Sequence, residues 1–427
     1  MEYLLKTEQI ANGVYFNHIK DKRYKTNRIS VNLTLPLDKK TATANALLPF
    51  ILQKGYADCP DFTELNRKLD GLYGAYLDGG VKKLGDNQII TLAISSIDDE
   101  FALHGEEITK ELSELLCGIV MKPNIIDGGF DPKDFDLEKQ NLIDLIESEI
   151  NEKRSYAISR AEQEMFCGKP AGVNRYGSIE TAKTLTSRDV LLAYNSLLKS
   201  AQVEIMFVGC GDYNVTKNIF KSAWSGIVRE DINVIKSNLL TDKRDVKEVT
   251  EKLSVAQSKM VLGFKTGQQS ETEINAIRLM TSLYGGTPTS KLFVNVREKL
   301  SLCYYCAARY DRIKGVMLVD CGVENDNIEK ARAAILEQLE GIKQGKITDT
   351  EIDYTRLSEK NKFKTVTDTT SGMESWYLAQ RLSGTTTNPE DEAIAMEQVT
   401  KQDIINTANN MTLDTVYVLT TNNQKRQ

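Results

Sequence analysis

The stretch Leu283-Tyr-Gly-Gly-Thr-Pro-Thr-Ser-Lys-Leu-Phe-Val-Asn-Val-Arg-Glu-Lys-Leu-Ser-Leu-Cys-Tyr304 guides the interpretation of the whole chain. It predicts a helix end, a turn at Gly285 and Gly286, a second helix from about Ser290, and a strand from near Leu302. Residues 53–73 form a faint copy of it. A fixed offset of 230 positions gives these pairs: Asn275 and Asn45, Ala276 and Ala46, Gly285 and Gly55, Leu302 and Leu72, Gly315 and Gly85. Matched turns, helices and strands at one offset indicate an internal duplication.

Length and composition predict two domains of one kind. The chain has 427 residues, of which 41% are hydrophobic and 27% charged, and a domain usually takes about 100–200 residues. Each half mixes helices with mainly antiparallel strands, so we expect an α+β fold of two homologous domains, each a sheet covered by helices on one face. We place the domains at 1–231 and 251–427, with a polar linker at 232–250.

Charge and patterning exclude several classes of protein. A net charge of −6 gives no basic surface for nucleic acid. No apolar run approaches the roughly 18 residues of a membrane helix, and the first residues lack the pattern of a signal peptide. Seven scattered cysteines suit a reducing compartment. We therefore expect a cytoplasmic protein with no nucleic-acid or membrane partner.

Most motifs that suggest chemistry have a plainer explanation. Cys303 and Cys306 have redox-motif spacing, but residues three apart on a strand point to opposite faces, so we expect packing cysteines. The paired glycines lack the spacing of a nucleotide-binding loop. Only two histidines occur, His18 and His104, and nothing in the sequence ties either one to a nucleophile.

The order of elements resembles one peptidase family. A strand, a helix, the Lys54-Gly55 turn, a second helix and a long Glu-rich helix are followed by Gly285-Gly286 and the residues up to Tyr304. This order is similar to that of the insulinase/pitrilysin family of zinc peptidases, over nearly the whole chain. Within that family it most resembles bacterial peptidase-like proteins associated with aminopentanol modification of elongation factor P.

The family's zinc motif is missing from the matching positions. Catalytic members carry HxxEH before the Lys-Gly turn, with two histidines four residues apart on one helix face that share a zinc ion. Here the histidine positions hold Ala46 and Phe50, and the glutamate position holds Pro49. The third ligand falls near Leu145 on the long helix, with Glu147 and Glu149 close by in sequence. These apolar side chains offer zinc no lone pair, so we predict no metal and no cofactor.

The resemblance implies that two substrate-holding residues are present in the second half of the chain. The family's arginine and tyrosine near the scissile bond match Arg297 and Tyr304. A guanidinium suits a peptide carbonyl, and a tyrosine hydroxyl suits an oxyanion. From residue types alone, the alternative is a surface arginine on a helix and a strand tyrosine that faces the core.

The resemblance implies a division of labour between two homologous chains that form a clamshell-like chamber. One chain would carry HxxEH and hydrolyse the peptide, while this chain would hold substrate and close the chamber as a heterodimer partner. A homodimer is also open. The competing hypothesis is a non-enzymatic scaffold or interaction protein on a peptidase fold, and any link to elongation factor P rests on the resemblance alone.

Overall fold

The structure is a computed structural model that describes residues 5–230, 232, 237–242, 244–267 and 270–421, without the side chains of residues 271 and 272. Contacts divide the chain into two units, each built from three segments. Unit 1 comprises 1–147, 173–236 and 366–388, and unit 2 comprises 148–172, 237–365 and 389–427. Parts of the predicted linker, residues 231, 233–236 and 243, lie outside the described residues.

The described residues form strands and helices with the following bounds. The strands are β1 (Lys6–Ala11), β2 (Val14–Lys20), β3 (Thr26–Pro36), β4 (Tyr76–Leu84), β5 (Asn87–Ile97), β6 (Ile125–Ile126), β7 (Gly129–Phe130), β8 (Gln202–Gly209), β9 (Lys247–Lys252), β10 (Ser258–Lys265), β11 (Cys303–Asp311), β12 (Val316–Val323) and β13 (Thr412–Thr420). The helices are α1 (Ala42–Ile51), α2 (Phe62–Gly71), α3 (Ile108–Met121), α4 (Pro132–Ser148), α5 (Lys153–Met165), α6 (Ile179–Thr184), α7 (Ser187–Ser200), α8 (Tyr213–Ser225), α9 (Glu271–Thr281), α10 (Ile328–Lys343), α11 (Asp349–Val366), α12 (Thr370–Leu382), α13 (Pro389–Glu397) and α14 (Lys401–Asn410).

Local sequence explains several helix starts and one break. The Asp61 carboxylate accepts a hydrogen bond from the Glu64 amide at the start of α2, as its short acidic side chain predicts. Thr186 and Asp189 form a capping box at the start of α7. The long Glu-rich helix that the sequence predicts is instead two helices, α4 and α5, because residues 149–151 tighten into a 3₁₀ turn.

The sheets of the two units confirm the duplication. Unit 1 has the strand order β1-β2-β8-β3-β5-β4, and unit 2 has β9-β13-β10-β12-β11. Apart from β1, each strand of unit 1 has a counterpart at the same place in unit 2. Both sheets are antiparallel except for one parallel pair, which is β2 with β8 in unit 1 and β9 with β13 in unit 2. Part of the predicted linker therefore forms the edge strand β9.

Each sheet is packed on both faces, whereas the sequence predicts helices on one face. In unit 1, Ile205 and Phe207 of β8 join the core formed with α1, α3 and α7. The alternate residues Met206 and Val208 instead contact Met373 and Tyr377 of α12. The second face of this sheet is thus covered by a helix encoded in the other half of the sequence.

Unit 2 shows the reciprocal arrangement with α5. Val261 and Tyr417 of its sheet pack with Ala157 and Ala161 of this helix, which the first half of the sequence encodes. Gly263 permits the close approach, because a Cβ there would lie 2.8 Å from the Met165 sulfur. The halves predicted from sequence repeats and the units defined by contacts therefore differ by an exchange of α5 and α12.

Ion pairs attach both exchanged helices to their sheets. In unit 1, Arg381 of α12 donates two hydrogen bonds of 3.2 Å to Glu204 of β8, a residue with no solvent exposure. In unit 2, Arg160 of α5 donates at 3.1 Å to Glu251 of β9.

Among the described residues, no helix is long and apolar enough to cross a membrane.

Candidate functional site

The positions that correspond to the zinc motif are filled by apolar packing. Helix α1 carries Ala46, Pro49 and Phe50, and all of its residues except Phe50 are buried. Ala46 lies inside the unit 1 core with no exposure, and Phe50 and Leu145 pack against that core. No group of three or more potential metal-ligating side chains occurs within the described part of the chain. Because these side chains offer no donor atom, the residues present do not fit a zinc ion.

Polar groups at the end of α1 bind each other. Gln53 Nε2 donates to the Pro49 carbonyl at 2.6 Å. Gly79 of β4 lies against the same carbonyl, since a Cβ there would be 2.9 Å from the oxygen. Lys54 Nζ lies 2.7 Å from the buried Glu138 of α4. These contacts satisfy the groups beside the missing motif and give them structural roles.

The two histidines play no part in a shared site. His18 stacks on Tyr213 with the ring centroids 3.5 Å apart, and burial lowers its pKa to about 4, so the ring is neutral near pH 7. His104 is exposed, and its backbone amide donates to Glu106 at 3.0 Å. Both placements agree with ordinary structural or surface histidines.

Arg297 lies on the surface of unit 2, within the stretch from Leu283 to Tyr304. That stretch contains two π-helical segments, Ser282–Gly286 and Leu292–Lys299, a helix form that is rare and frequent at functional sites. The Arg297 guanidinium lies 4.5 Å from the Phe293 ring centroid and 3.2 Å from Glu298 Oε1. Its side chain is 37% exposed. Several of its donors therefore stay available to a ligand.

Tyr304 projects into solvent because of an irregularity in β11. Cys303 pairs with Val323 and Tyr305 with Gly322, so Tyr304 is the extra residue of a β-bulge. Its side chain is 64% exposed, which contradicts the expectation of a strand tyrosine that faces the core. Its hydroxyl donates to Glu324 Oε1 at 3.0 Å. This hydrogen bond raises the pKa of Tyr304 above its ordinary value of about 10, at which the phenol is already protonated at neutral pH.

The connection between these two residues is held by the backbone. The Leu300 amide donates to the Asn295 carbonyl at 3.1 Å, and the Leu302 amide to the Val296 carbonyl at 3.2 Å. Ser301 between them has a φ of 49°, a left-handed conformation that is unusual for a residue with a side chain. The structure thus fixes the path from the Arg297 segment to the Tyr304 bulge.

The same bulge corrects the argument about the cysteine pair. Cys303 and Cys306 are both buried on one face of β11, and Cys306 stands directly opposite Cys321 of β12. Because the Cys306 thiol donates hydrogen bonds to Cys303 and Cys321 and is buried, its pKa is raised well above its ordinary value, whereas the pKa of Cys303, which accepts from Cys306, is lowered. The predicted opposite orientation was wrong because the extra residue shifts the alternation. A packing role remains the prediction, since both side chains are buried whereas reactive cysteines are usually partially exposed.

Sequence reasoning missed Glu324 and Phe293, the two side chains that hold Tyr304 and Arg297. Phe293 lies four residues before Arg297, and a regular helix would place those two side chains together. Glu324 follows β12 immediately, but its nearness to Tyr304 depends on the bulge. The register that brings them together has no local signal in the sequence.

Comparisons with known proteins find similar sequences and structures. The profile of the family described as peptidase M16 inactive domain matches residues 184–358. The "probable inactive metalloprotease YmfF" of Bacillus subtilis (strain 168) is 28% identical over 420 residues, covering 98% of each chain. A conserved protein from Enterococcus faecalis V583 has a similar structure, with 27% identity, 99% coverage of both chains and a TM-score of 0.91.

A more distant structure shows the same fold. The peptidase M16 inactive domain from Pseudomonas fluorescens has a TM-score of 0.77 at 14% identity, covering 99% of this chain and 100% of that one. The similarity of sequence and structure thus extends along nearly the whole chain. Both the profile and the Bacillus relative are described as inactive.

Proposed function

We propose that this chain, a non-catalytic member of the insulinase-type (M16) peptidase family, is the substrate-holding subunit of a heteromeric metallopeptidase. A homologous partner with an HxxEH motif would supply the zinc ion and cleave the peptide. This chain would supply Arg297, Tyr304 and half of the chamber. The proposal places both chains in the cytoplasm.

The exposure of Tyr304 is the observation that carries the proposal. A bulge turns a large aromatic side chain out of the sheet, leaving 64% of it exposed, while its neighbours Cys303 and Cys306 are buried. Exposing an aromatic ring gives up hydrophobic burial. A bulge that re-aims one side chain is typical of sites where that side chain has a task. The hydroxyl also stays protonated, as a hydrogen-bond donor must.

The two residues would act on different atoms of a bound peptide. The Arg297 guanidinium offers several N–H donors in a fixed plane, which suits backbone carbonyl oxygens. The Tyr304 hydroxyl would turn from Glu324 to the oxygen on which negative charge develops during cleavage. A donor aimed at that oxygen contributes about 10²–10³ in rate. Glu324 would hold the side chain in place until the substrate arrives.

The test compares the purified chain alone with a mixture of the chain and an HxxEH-bearing homologue from the same source. We expect no stoichiometric zinc and no peptidase activity in the chain alone, and activity in the mixture. Arg297→Ala should abolish that activity, and Tyr304→Phe should lower kcat about 100-fold. Arg188→Ala, on the exposed start of α7, is the matched control and should have no effect.

Two results would overturn this proposal. Zinc binding or peptidase activity by the chain alone would show that it is itself an enzyme. Formation of a complex whose activity is unchanged by Arg297→Ala and Tyr304→Phe would remove the substrate-holding role.

A scaffold or interaction protein on a peptidase fold is the second candidate. The observation that favours it is that both side chains have partners within unit 2, Tyr304 with Glu324 and Arg297 with Phe293 and Glu298. Inertness of the chain in both samples, with no complex formed, would support this candidate. Elongation factor P modification would then be the first process in which to look for its partner.

A further inference from the structure

Unit 2 has an apolar groove whose lining residues lie outside the stretch from Leu283 to Tyr304. Its volume is about 460 Å³, and it lies between α10 and the adjoining ends of β10 and β13. The floor is formed by Phe264, Leu336, Leu339 and Leu413. A groove of this size falls in the range of about 300–1,000 Å³ that is usual for binding sites. Something of apolar character is therefore expected to fill it.

The duplication shows which element covers the corresponding surface in unit 1. There α3 occupies the place of α10, β8 occupies the place of β13, and helix α8 packs against α3. Ser113 Oγ of α3 and Thr216 Oγ1 of α8 lie 2.8 Å apart. Phe220 and Trp224 of α8 are completely buried in the unit 1 core. The same surface is thus closed by two large aromatic side chains, four residues apart on one helix.

One pair of equivalent residues fixes this correspondence. Ala201 is the C-cap of α7 and leads into β8, while Met411 is the C-cap of α14 and leads into β13. The Arg229 guanidinium donates to the Ala201 carbonyl, and its central carbon lies 5.0 Å from the centroid of the Trp224 ring. Trp224 therefore lies beside Ala201. Met411, the counterpart of Ala201, lines the groove. The groove therefore lies where an equivalent of Trp224 would sit.

The described part of unit 2 has no helix in this position. Beyond β13 only Thr421 is described. The exposed carboxylates Glu337 and Glu340 flank the groove, and Lys343 lies 3.7 Å from Glu340. The surplus of negative charge favours an occupant with lysine or arginine on its flank. Helix α8 also carries two lysines, Lys217 and Lys221, which in unit 1 pair with Glu8 of β1.

We propose that this groove binds an amphipathic α-helix of a partner protein, seated on α10 and β13 as α8 is seated on α3 and β8. The occupant would insert two large apolar residues at positions i and i+4 and would place basic residues against Glu337 and Glu340. Helix-in-groove recognition of this kind is a common mode of protein association. The inference does not depend on the role proposed for Arg297 and Tyr304.

The test uses a labelled peptide with the sequence of residues 212–226, made helical by a hydrocarbon staple between the exposed positions 218 and 222. The staple is needed because an isolated helix of this length is marginal in water. Fluorescence anisotropy with the full chain should show saturable binding. Leu336→Glu should weaken binding at least 10-fold, and a peptide with Phe220→Asp should fail to bind.

Two controls separate the groove from general stickiness and from unfolding. Leu357→Glu, at another exposed leucine of unit 2, should leave the affinity unchanged. Ala333→Trp should fill the groove without adding charge and should also weaken binding, with circular dichroism confirming that each variant is folded. Glu337→Lys should weaken binding several-fold at low salt, and this difference should shrink as salt is added.

Three outcomes would overturn the proposal. One is failure of the helical peptide to bind. Another is binding that Leu336→Glu and Ala333→Trp leave unchanged, since the peptide would then sit elsewhere. The third is concentration-dependent self-association, measured by sedimentation, that Leu336→Glu abolishes. That result would make a second copy of this chain the occupant.

Discussion

The hydroxyl of Tyr304 and the carboxylate of Glu324 lie 3.0 Å apart. Tyr304 is the bulged residue of β11, and Glu324 immediately follows β12. The carboxylate holds the tyrosine proton in place and raises the pKa of the phenol. The pair therefore keeps an exposed donor protonated and oriented before any ligand arrives.

Replacing Glu324 by Gln should lower the pKa of Tyr304 toward its ordinary value of about 10. The glutamine keeps the shape of the side chain but removes the negative charge that disfavours the phenolate. NMR titration of a chain labelled at tyrosine ¹³Cζ measures the change, and Tyr304→Phe identifies the signal. An unchanged pKa in Glu324→Gln would mean that the hydrogen bond does not form in solution.

Stability should fall with acidification between about pH 6.5 and pH 4 because of His18. Its pKa is lowered from 6.5 to about 4 in the folded chain, so over this window the unfolded state binds the proton and the folded state does not. The side chain is only partly buried, so after allowance for solvent screening the loss is about 1–2 kcal/mol.

Urea unfolding at pH 7.0 and pH 5.0 checks this prediction. His18→Gln should flatten the difference between the two pH values, whereas His104→Gln, at an exposed site, should leave it as in the wild type. Equal pH dependence in wild type and His18→Gln would contradict the assignment.

Restoring a family histidine at Ala46 should destabilise the fold. Ala46 has no solvent exposure, so an imidazole there overpacks the core, at about 1–3 kcal/mol, and also buries a polar ring. We expect Ala46→His to lower the free energy of unfolding by about 2–4 kcal/mol in urea titrations. Phe50→His, at a partly exposed position of the same helix, is the control and should cost less. Unchanged stability of Ala46→His would show that room for a ligand persists there.

Removing the guanidinium that binds Glu204 should cost much more than removing an exposed ion pair. Arg381→Met leaves a fully buried carboxylate without its cation, which typically destabilises by about 3–5 kcal/mol. Lys360→Met breaks the pair with Glu397, in which both side chains are nearly half exposed, and should cost at most about 1 kcal/mol. Chemical denaturation of both variants measures the two values. Similar values for the two variants would show that Arg381 does not secure α12.

The sequence predicts those features that depend on local pattern. The repeat at a fixed offset and the missing histidines at Ala46 and Phe50 both follow from residue types and spacing. The duplicated strand order is confirmed by the structure, and the resemblance to the peptidase family is confirmed by the comparisons. The roles of Arg297 and Tyr304 stay a prediction, since no comparison tests them.

Features that depend on distant contacts could not be predicted. The bulge at Tyr304 adds one residue to β11. The sequence gives no sign of it, because Cys303 and Cys306 are apolar residues that could be buried on the same face of the strand or on opposite faces. The exchange of α5 and α12 is hidden for a similar reason: an amphipathic helix shows that it has a buried face, but not which sheet that face will meet.

The exchanged helices also set an order of events during synthesis. The sheet of unit 1 is complete once β8 has emerged, but its second face waits for α12, which ends at Leu382. Until then the nascent chain carries an uncovered apolar surface around Met206 and Val208, the kind of surface that makes a folding intermediate aggregate. A ribosome that stalls after residue 231 would therefore release an unfinished, chaperone-dependent product and not a self-sufficient domain.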